Sequence, residues 1–186
     1  MKPLDPTGLK RLHREWRRKT EGRLALVLES VQSPFNVGAI VRTAAAYRVE
    51  TIWVTGSTPM PTASSVQKTA LGTDRFVEVA QADDAVARAK AAGFRVIGIE
   101  LADGAQPLHD VPLGGAVCLV VGNEDHGIRA ATLRECDTVA YLPQLGKVGS
   151  LNVATAASIA VYEVRRQEWE QTMNDEPTGE DGATDE

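Results

Sequence analysis

Three separated segments carry side chains whose types and spacing suit work beside a phosphate or a hydroxyl. The first holds Asn36 and Arg42, six residues apart. An arginine grips a phosphate through two parallel hydrogen bonds, which a lysine cannot do. Gly38 lies one turn before Arg42 on the same helical face and is expected to clear room for the guanidinium's ligand. The second segment is Gly122-Asn-Glu-Asp-His-Gly127, with Glu124 just past an apolar run. The third runs Gly146-Lys-Val-Gly-Ser-Leu-Asn152 into a strongly apolar stretch. A glycine loop feeding a helix N-terminus makes a ligand site from backbone N–H groups. Lys147, Ser150 and Asn152 stand at its mouth, and Ser150 is the expected N-cap. Taken singly, each piece also has an ordinary reading: Asn36 as a helix cap, Arg42 as an exposed helical arginine, the second segment as a polar turn.

Other chemistries find no support. No G-x-G-x-x-G follows the first apolar run, against a dinucleotide site of the usual kind. Gly122 and Gly127 have P-loop spacing, but Ile128 and Arg129 follow where Lys and Ser or Thr are required. His13, His109 and His126 are widely spaced, and no metal site is expected. No serine lies in G-x-S-x-G. Cys118 and Cys136 are in apolar contexts without metal spacing and read as buried thiols of a reducing cytosol.

The elements that must position these residues alternate. Strands are expected at 24–29, 51–55, 75–79, 94–99, 116–121 and 138–142. Helices are expected at 37–48, 64–71, 82–92, 127–135 and from Ser150 onward. That alternation means an α/β fold: a mostly parallel sheet with helices on both faces. Ala116-Val-Cys-Leu-Val-Val121 is apolar throughout, hence central. Ligands of open parallel sheets sit beyond the carboxyl ends of the strands, where all three segments fall. The last helix is apolar almost all round and should be covered on most sides.

At 186 residues the chain is long enough for one domain with a real core. It has no apolar run long enough for a transmembrane span and no visible secretory signal, and the expected location is cytoplasmic. The net charge of −5 is unevenly spread. Eight acids and no base follow from Glu168, leaving 17 acids against 20 bases in residues 1–167. Residues 1–23 form a basic helical extension in which Leu9, Leu12 and Trp16 share one face. Lys10, Arg11, Arg14, Arg17 and Arg18 cover the rest, suited to phosphates or to plain solvation. Residues 24–168 form the domain. Residues 169–186 are expected to be an acidic, disordered tail.

The order and content of the three segments resemble the SPOUT superfamily of RNA methyltransferases, most nearly its TrmH (SpoU) family. The carriers are N-x5-R from Asn36, GNEDHG from Gly122 and LPQLGKVGSLNVA from Leu142. The resemblance covers about residues 24–167. It implies a C-terminal trefoil knot, S-adenosyl-L-methionine held bent within it, a homodimer built partly on the last helix, and methylation of an RNA ribose 2′-hydroxyl. It implies a catalytic set at Asn36, Arg42, Glu124, Ser150 and Asn152, and adenosyl binding through backbone at Gly122, Leu142 and Leu151. Arg42 would bind the adjacent phosphate and orient the hydroxyl, with Asn36 and Asn152 orienting Arg42 or the ribose. The compact build resembles members acting on the D-loop guanosine of tRNA. The wobble nucleotide of tRNA and rRNA are alternatives, as is a knot protein that binds RNA without catalysis. A nicotinamide- or nucleotide-binding protein of the Rossmann type also stays open, with the absent glycine fingerprint against it.

Overall fold

The computed structural model describes residues 2–175. Strands β1 (Leu24–Glu29), β2 (Thr51–Thr55), β3 (Glu78–Gln81), β4 (Arg95–Ile99), β5 (Gln106–Pro107), β6 (Val117–Val121) and β7 (Thr138–Tyr141) form one sheet. Its order is β3-β2-β1-β6-β4-β7-β5, and every pairing is parallel. The helices are α1 (Pro6–Arg18), α2 (Pro34–Ala46), α3 (Ser64–Ala70), α4 (Ala85–Ala91), α5 (Ala130–Glu135) and α6 (Val153–Asp175).

Strands β1, β2 and β6 are buried at every residue, and β6, at the middle of the sheet, is apolar throughout. One face of the sheet packs on α2, α3 and α6 through Val37, Ile40, Val41, Val66, Ala157, Ala160, Val161 and Val164. The other packs on α4 and the approach to α5 through Val86, Ala89, Phe94 and Ile128. Burial pushes the Cys136 thiol up to about 11 and raises Cys118 as well, so neither is a thiolate at neutral pH.

Several boundaries differ from the sequence expectation, each for a local reason. Helix α2 starts at Pro34, because proline fits the first helical turn and Ser33 Oγ accepts from Asn36 N at 3.4 Å. Asn36 is therefore inside the helix and is not its cap. Helix α6 starts at Val153, not beside Ser150. Asn152 Oδ1 accepts from Ala154 N (2.9 Å) and Thr155 N (3.2 Å), which makes Asn152 the capping residue. The segment 75–77 is a 3-10 turn and its exit, so β3 begins at Glu78.

The acidic composition after Glu168 does not end α6, which continues to Asp175. Trp169 packs on Trp16 of α1, with ring centroids 4.8 Å apart, and donates from Nε1 to Thr20 Oγ1 at 2.8 Å. The remainder of the expected disordered tail, residues 176–186, lies outside the described residues. No helix among the described residues is long and apolar enough to cross a membrane.

Candidate functional site

At the carboxyl ends of β4, β6 and β7 lies a cleft of about 440 Å³, the size range of small-ligand sites. It is lined by the turn after β6, including Gly122 and Glu124, and by Leu142, Ser150, Leu151 and Asn152 from the connection between β7 and α6.

Three of the expected site residues form one hydrogen-bonded relay. The Glu124 carboxylate accepts from Gln32 N (2.9 Å), Ser33 N (3.0 Å) and Asn36 Nδ2 (2.9 Å). Asn36, which is buried, accepts at Oδ1 from Asn152 Nδ2 at 3.0 Å. Asn152 in turn caps α6. The loop after β1, the turn after β6 and the start of α6 are thus fixed to one another through side chains. Partial burial pushes the Glu124 carboxyl's pKa up, but its donors outweigh this and hold it below the usual range. Asn36 and Asn152 spend their amides on this relay and not on Arg42.

Gly122 is buried against the returning chain. A Cβ there would sit 2.2 Å from the Gly127 carbonyl carbon and 2.3 Å from Ile128 N. Glycine is required for that close approach, and the adjoining peptide reaches the cleft. Leu142 and Leu151 give the cleft apolar wall, and Ser150 stands exposed on its rim without a capping role.

Arg42 is placed differently from the other four. It is exposed on α2 and does not line this cleft. It lies about 9 Å along the helix axis from Asn36, at 1.5 Å per residue. Gly38 does not clear space for it. A Cβ at Gly38 would meet Thr69 Cβ at 2.6 Å and Val66 O at 2.9 Å, so this glycine serves the close packing of α2 on α3. Lys147 is exposed and also outside the cleft lining.

Lys10, Arg11, Arg14, Arg17 and Arg18 are exposed on α1, at the other end of the sheet. Among the described residues none of the five forms an ion pair, whereas neighbouring Lys19 reaches Glu15 at 3.9 Å.

Sequence reasoning missed the residues that brace the turn after β6. Asn123 Nδ2 donates to Ser30 O (2.8 Å), and its Oδ1 accepts from Asp125 N and His126 N. Buried Glu29 accepts from Arg129 N (2.8 Å), Arg129 Nε (2.8 Å) and Thr132 Oγ1 (2.5 Å). Glu100 accepts from Ile128 N at 2.9 Å. Glu29 and Glu100 had a visible signal: each is a carboxylate closing an apolar strand at its carboxyl end. Among the described residues no group of three or more His, Cys, Asp or Glu is placed to hold a metal.

An open parallel sheet with a small-ligand cleft at its carboxyl edge is an α/β ligand-binding fold. Within that class the assignment is direct: the SpoU rRNA Methylase family model matches residues 23–162, and the chain belongs to this family. The 23S rRNA (guanosine-2′-O-)-methyltransferase RlmB of Acinetobacter baylyi is 36% identical over 148 residues, which cover 77% of this chain and 60% of that one. An AdoMet-bound rRNA methyltransferase from Sinorhizobium meliloti superposes with a TM-score of 0.72 at 31% identity, over 80% of this chain and 57% of that one. The TrmH/SpoU tRNA modifying enzyme of A. aeolicus gives 0.73 at 26% identity, over 91% and 89%. The chain spans only 54–60% of the length of such curated relatives as RlmB.

Proposed function

We propose that this protein transfers a methyl group from S-adenosyl-L-methionine to a ribose 2′-hydroxyl of RNA, with the D-loop guanosine of tRNA as first choice. The observation that carries the reading is the Glu124–Asn36–Asn152 relay, which ties three loops around one nucleoside-sized cleft in a chain of this family. The likeness to the A. aeolicus tRNA modifying enzyme, which spans nearly the whole of both chains, favours tRNA. The identity to RlmB supports rRNA as a second reading.

The cofactor, when bound, supplies an electrophilic methyl group on a sulfonium. Leu142 and Leu151 would wall it, and the backbone around Gly122 would meet its polar edge. The chain's own task is placement of the hydroxyl and removal of its proton. Arg42 is a poor free base, since arginine stays protonated below about pH 12. It serves by gripping the phosphate next to the target ribose, with proton loss coupled to that phosphate. Glu124, Asn36 and Asn152 hold the loops in register, and Ser150 at the rim faces the incoming RNA.

Arg42 does not line its own chain's cleft, so a second copy completes the site. Ile159 and Tyr162 of α6 and Phe35 of α2 are 43%, 46% and 67% exposed, an apolar surface that a two-fold partner would cover. Val161, by contrast, belongs to the core of the single chain. The five bases of α1 would meet RNA phosphates. The passage from β7 into α6 forms the knot by threading the connection at 100–116. In support, Gln167 of α6 bonds that connection at both Leu113 N and Val111 O. A cytoplasmic location accords with two free thiols.

Incubation with methyl-labelled cofactor and unmodified tRNA or rRNA, followed by mapping of 2′-O-methyl positions, tests this. Label at the D-loop guanosine is the expected result. Label confined to rRNA selects the second reading, and RNA binding without transfer would leave a non-catalytic RNA-binding protein.

A further inference from the structure

Away from the cleft, a groove runs between α1 and the last turns of α6. Arg11, Arg14, Glu15, Arg18, Lys19 and Thr172 line a hollow of about 480 Å³ there. A second hollow, of about 770 Å³, shares Arg18, Lys19 and Thr172 with it and continues to Gly114 and Gly115. The two are one continuous groove, and its α1 side is strongly basic. Glu15 is the one acid of the first hollow, and it pairs with Lys19 at 3.9 Å. Arg11, Arg14 and Arg18 are exposed and form no ion pair among the described residues. Their spacing of three and four residues stacks three like charges on one helical face, which costs helix stability unless an anion lies against them.

The chain itself delivers anions to this place. Thr172 lines both hollows and lies one turn before α6 ends at Asp175, so residues 176–186 set out from the groove's rim. They hold five carboxylates, Glu176, Glu180, Asp181, Asp185 and Glu186, and no Lys or Arg. Arg11 and Arg18 are about 10 Å apart along α1 at 1.5 Å per residue. Eleven extended residues reach up to about 36 Å, enough to pass all three arginines. The tether holds the segment at an effective concentration on the order of mM, so individually weak surface ion pairs are enough to fill the groove. The segment has no large apolar side chain, so its contact is ionic and yields to salt.

We infer that residues 176–186 lie along this groove against Arg11, Arg14 and Arg18, and must leave it before RNA can use α1. Carboxylate and phosphate accept from a guanidinium in the same two-pronged geometry, so the segment and an RNA backbone compete for the same three side chains. The consequence for RNA rests on the RNA reading above; the docking itself does not.

Two measurements on the full-length chain test this, with thermal melting to confirm that each variant folds. The first uses no RNA. A carbodiimide joins a carboxylate to a lysine amine only where the two touch, and mass spectrometry should find Lys19 joined to a carboxylate of 176–186. Replacing Arg11, Arg14 and Arg18 with glutamine should cut that product several-fold. Absence of the product, or an undiminished yield in the variant, would overturn the docking. The second measures RNA affinity after Glu176→Gln, Glu180→Gln, Asp181→Asn, Asp185→Asn and Glu186→Gln together. Affinity should rise about tenfold at low salt and less than about twofold at about 0.5 M salt. In the chain that also carries the three glutamines in α1, the same change should gain less than about twofold at low salt, because nothing is left to unmask. An equal gain in both backgrounds would make the segment a general repulsive charge and sink the competition. If no variant binds RNA, the RNA reading falls, and the cross-link still decides whether the segment occupies the groove.

Discussion

Glu124 accepts from two backbone N–H groups and the Asn36 amide most strongly while it is ionised, since a protonated carboxyl loses part of its acceptor capacity. Its pKa is depressed in the folded state, so its contribution to stability is fully present above the usual carboxylate pKa. That contribution is lost as pH falls through the lowered native value. Glu124→Gln should therefore be less stable than the wild type at neutral pH, and the gap should close on acidification below the usual carboxylate range. Urea melts at a series of pH values would measure this, and a gap independent of pH would assign the loss to packing instead. The residue types of the site were legible in the sequence: Asn36, Glu124 and Asn152 do converge. Their partners were not. Which oxygen accepts from which amide depends on distances between loops that lie 88 and 116 residues apart in the chain. The role of Gly38 was misread because sequence places it beside Arg42 but cannot show that α3 already fills that side.

Helix α6 joins the cleft at one end of the sheet to the N-terminal extension at the other. Its apolar pattern was plain in the sequence, but its ends were not. The start is set by Asn152, and the finish is extended by tertiary packing of Trp169 that overrides an acidic composition. Arg165 shows how firmly the helix is held. Its buried guanidinium donates to Tyr47 O (3.0 Å), Arg48 O (3.1 Å), Gly22 O (2.7 Å) and Glu168 Oε2 (2.8 Å). Glu168 Oε1 also accepts from Glu21 N and Gly22 N, each at 2.6 Å. One residue thus links α6, the end of α2 and the segment leading into β1. Removing one member of a buried pair leaves the other uncompensated, so Arg165→Ala should cost about 3–5 kcal/mol in a denaturation measurement. Arg166, more exposed and paired with Glu163 on the same helix, should lose under about 1 kcal/mol on the same change. Equal losses would remove Arg165 from this role.

Over the whole molecule, the cleft and the basic helix are far apart in one chain. Asn152 and Trp169 are separated by about 25 Å along α6 at 1.5 Å per residue, and α1 docks at the Trp169 end. An RNA that touches both must span that length or reach the α1 of a second copy. Replacing Lys10, Arg11, Arg14, Arg17 and Arg18 with glutamine keeps the Trp16–Trp169 contact. It should flatten the log–log salt dependence of RNA binding by about 0.7–0.9 for each phosphate no longer neutralised. An unchanged slope would make α1 a solvated face. The same geometry bears on Arg42, which does not line its own chain's cleft and in the proposed dimer would meet that of the second copy. Arg42→Ala alone should lower turnover by on the order of 100-fold or more while leaving cofactor affinity within a few-fold. A second variant must lack cofactor binding but still fold. Gly122 is unsuitable, since any Cβ there strikes the Gly127 peptide. Ala156 lines the cleft from the first turn of α6 and is only partly buried, so Ala156→Phe fills the space without moving backbone. Mixed and reassembled, the two inactive chains should recover about a quarter of wild-type turnover, because half of randomly paired dimers are mixed and each has one intact site. Ile159→Glu, on the exposed side of α6, should prevent that recovery and shift sedimentation toward monomer, whereas Val161 would report only on the core. Mixtures that stay inactive although sedimentation shows them paired would place Arg42 and the cleft of one chain in a single, unshared site.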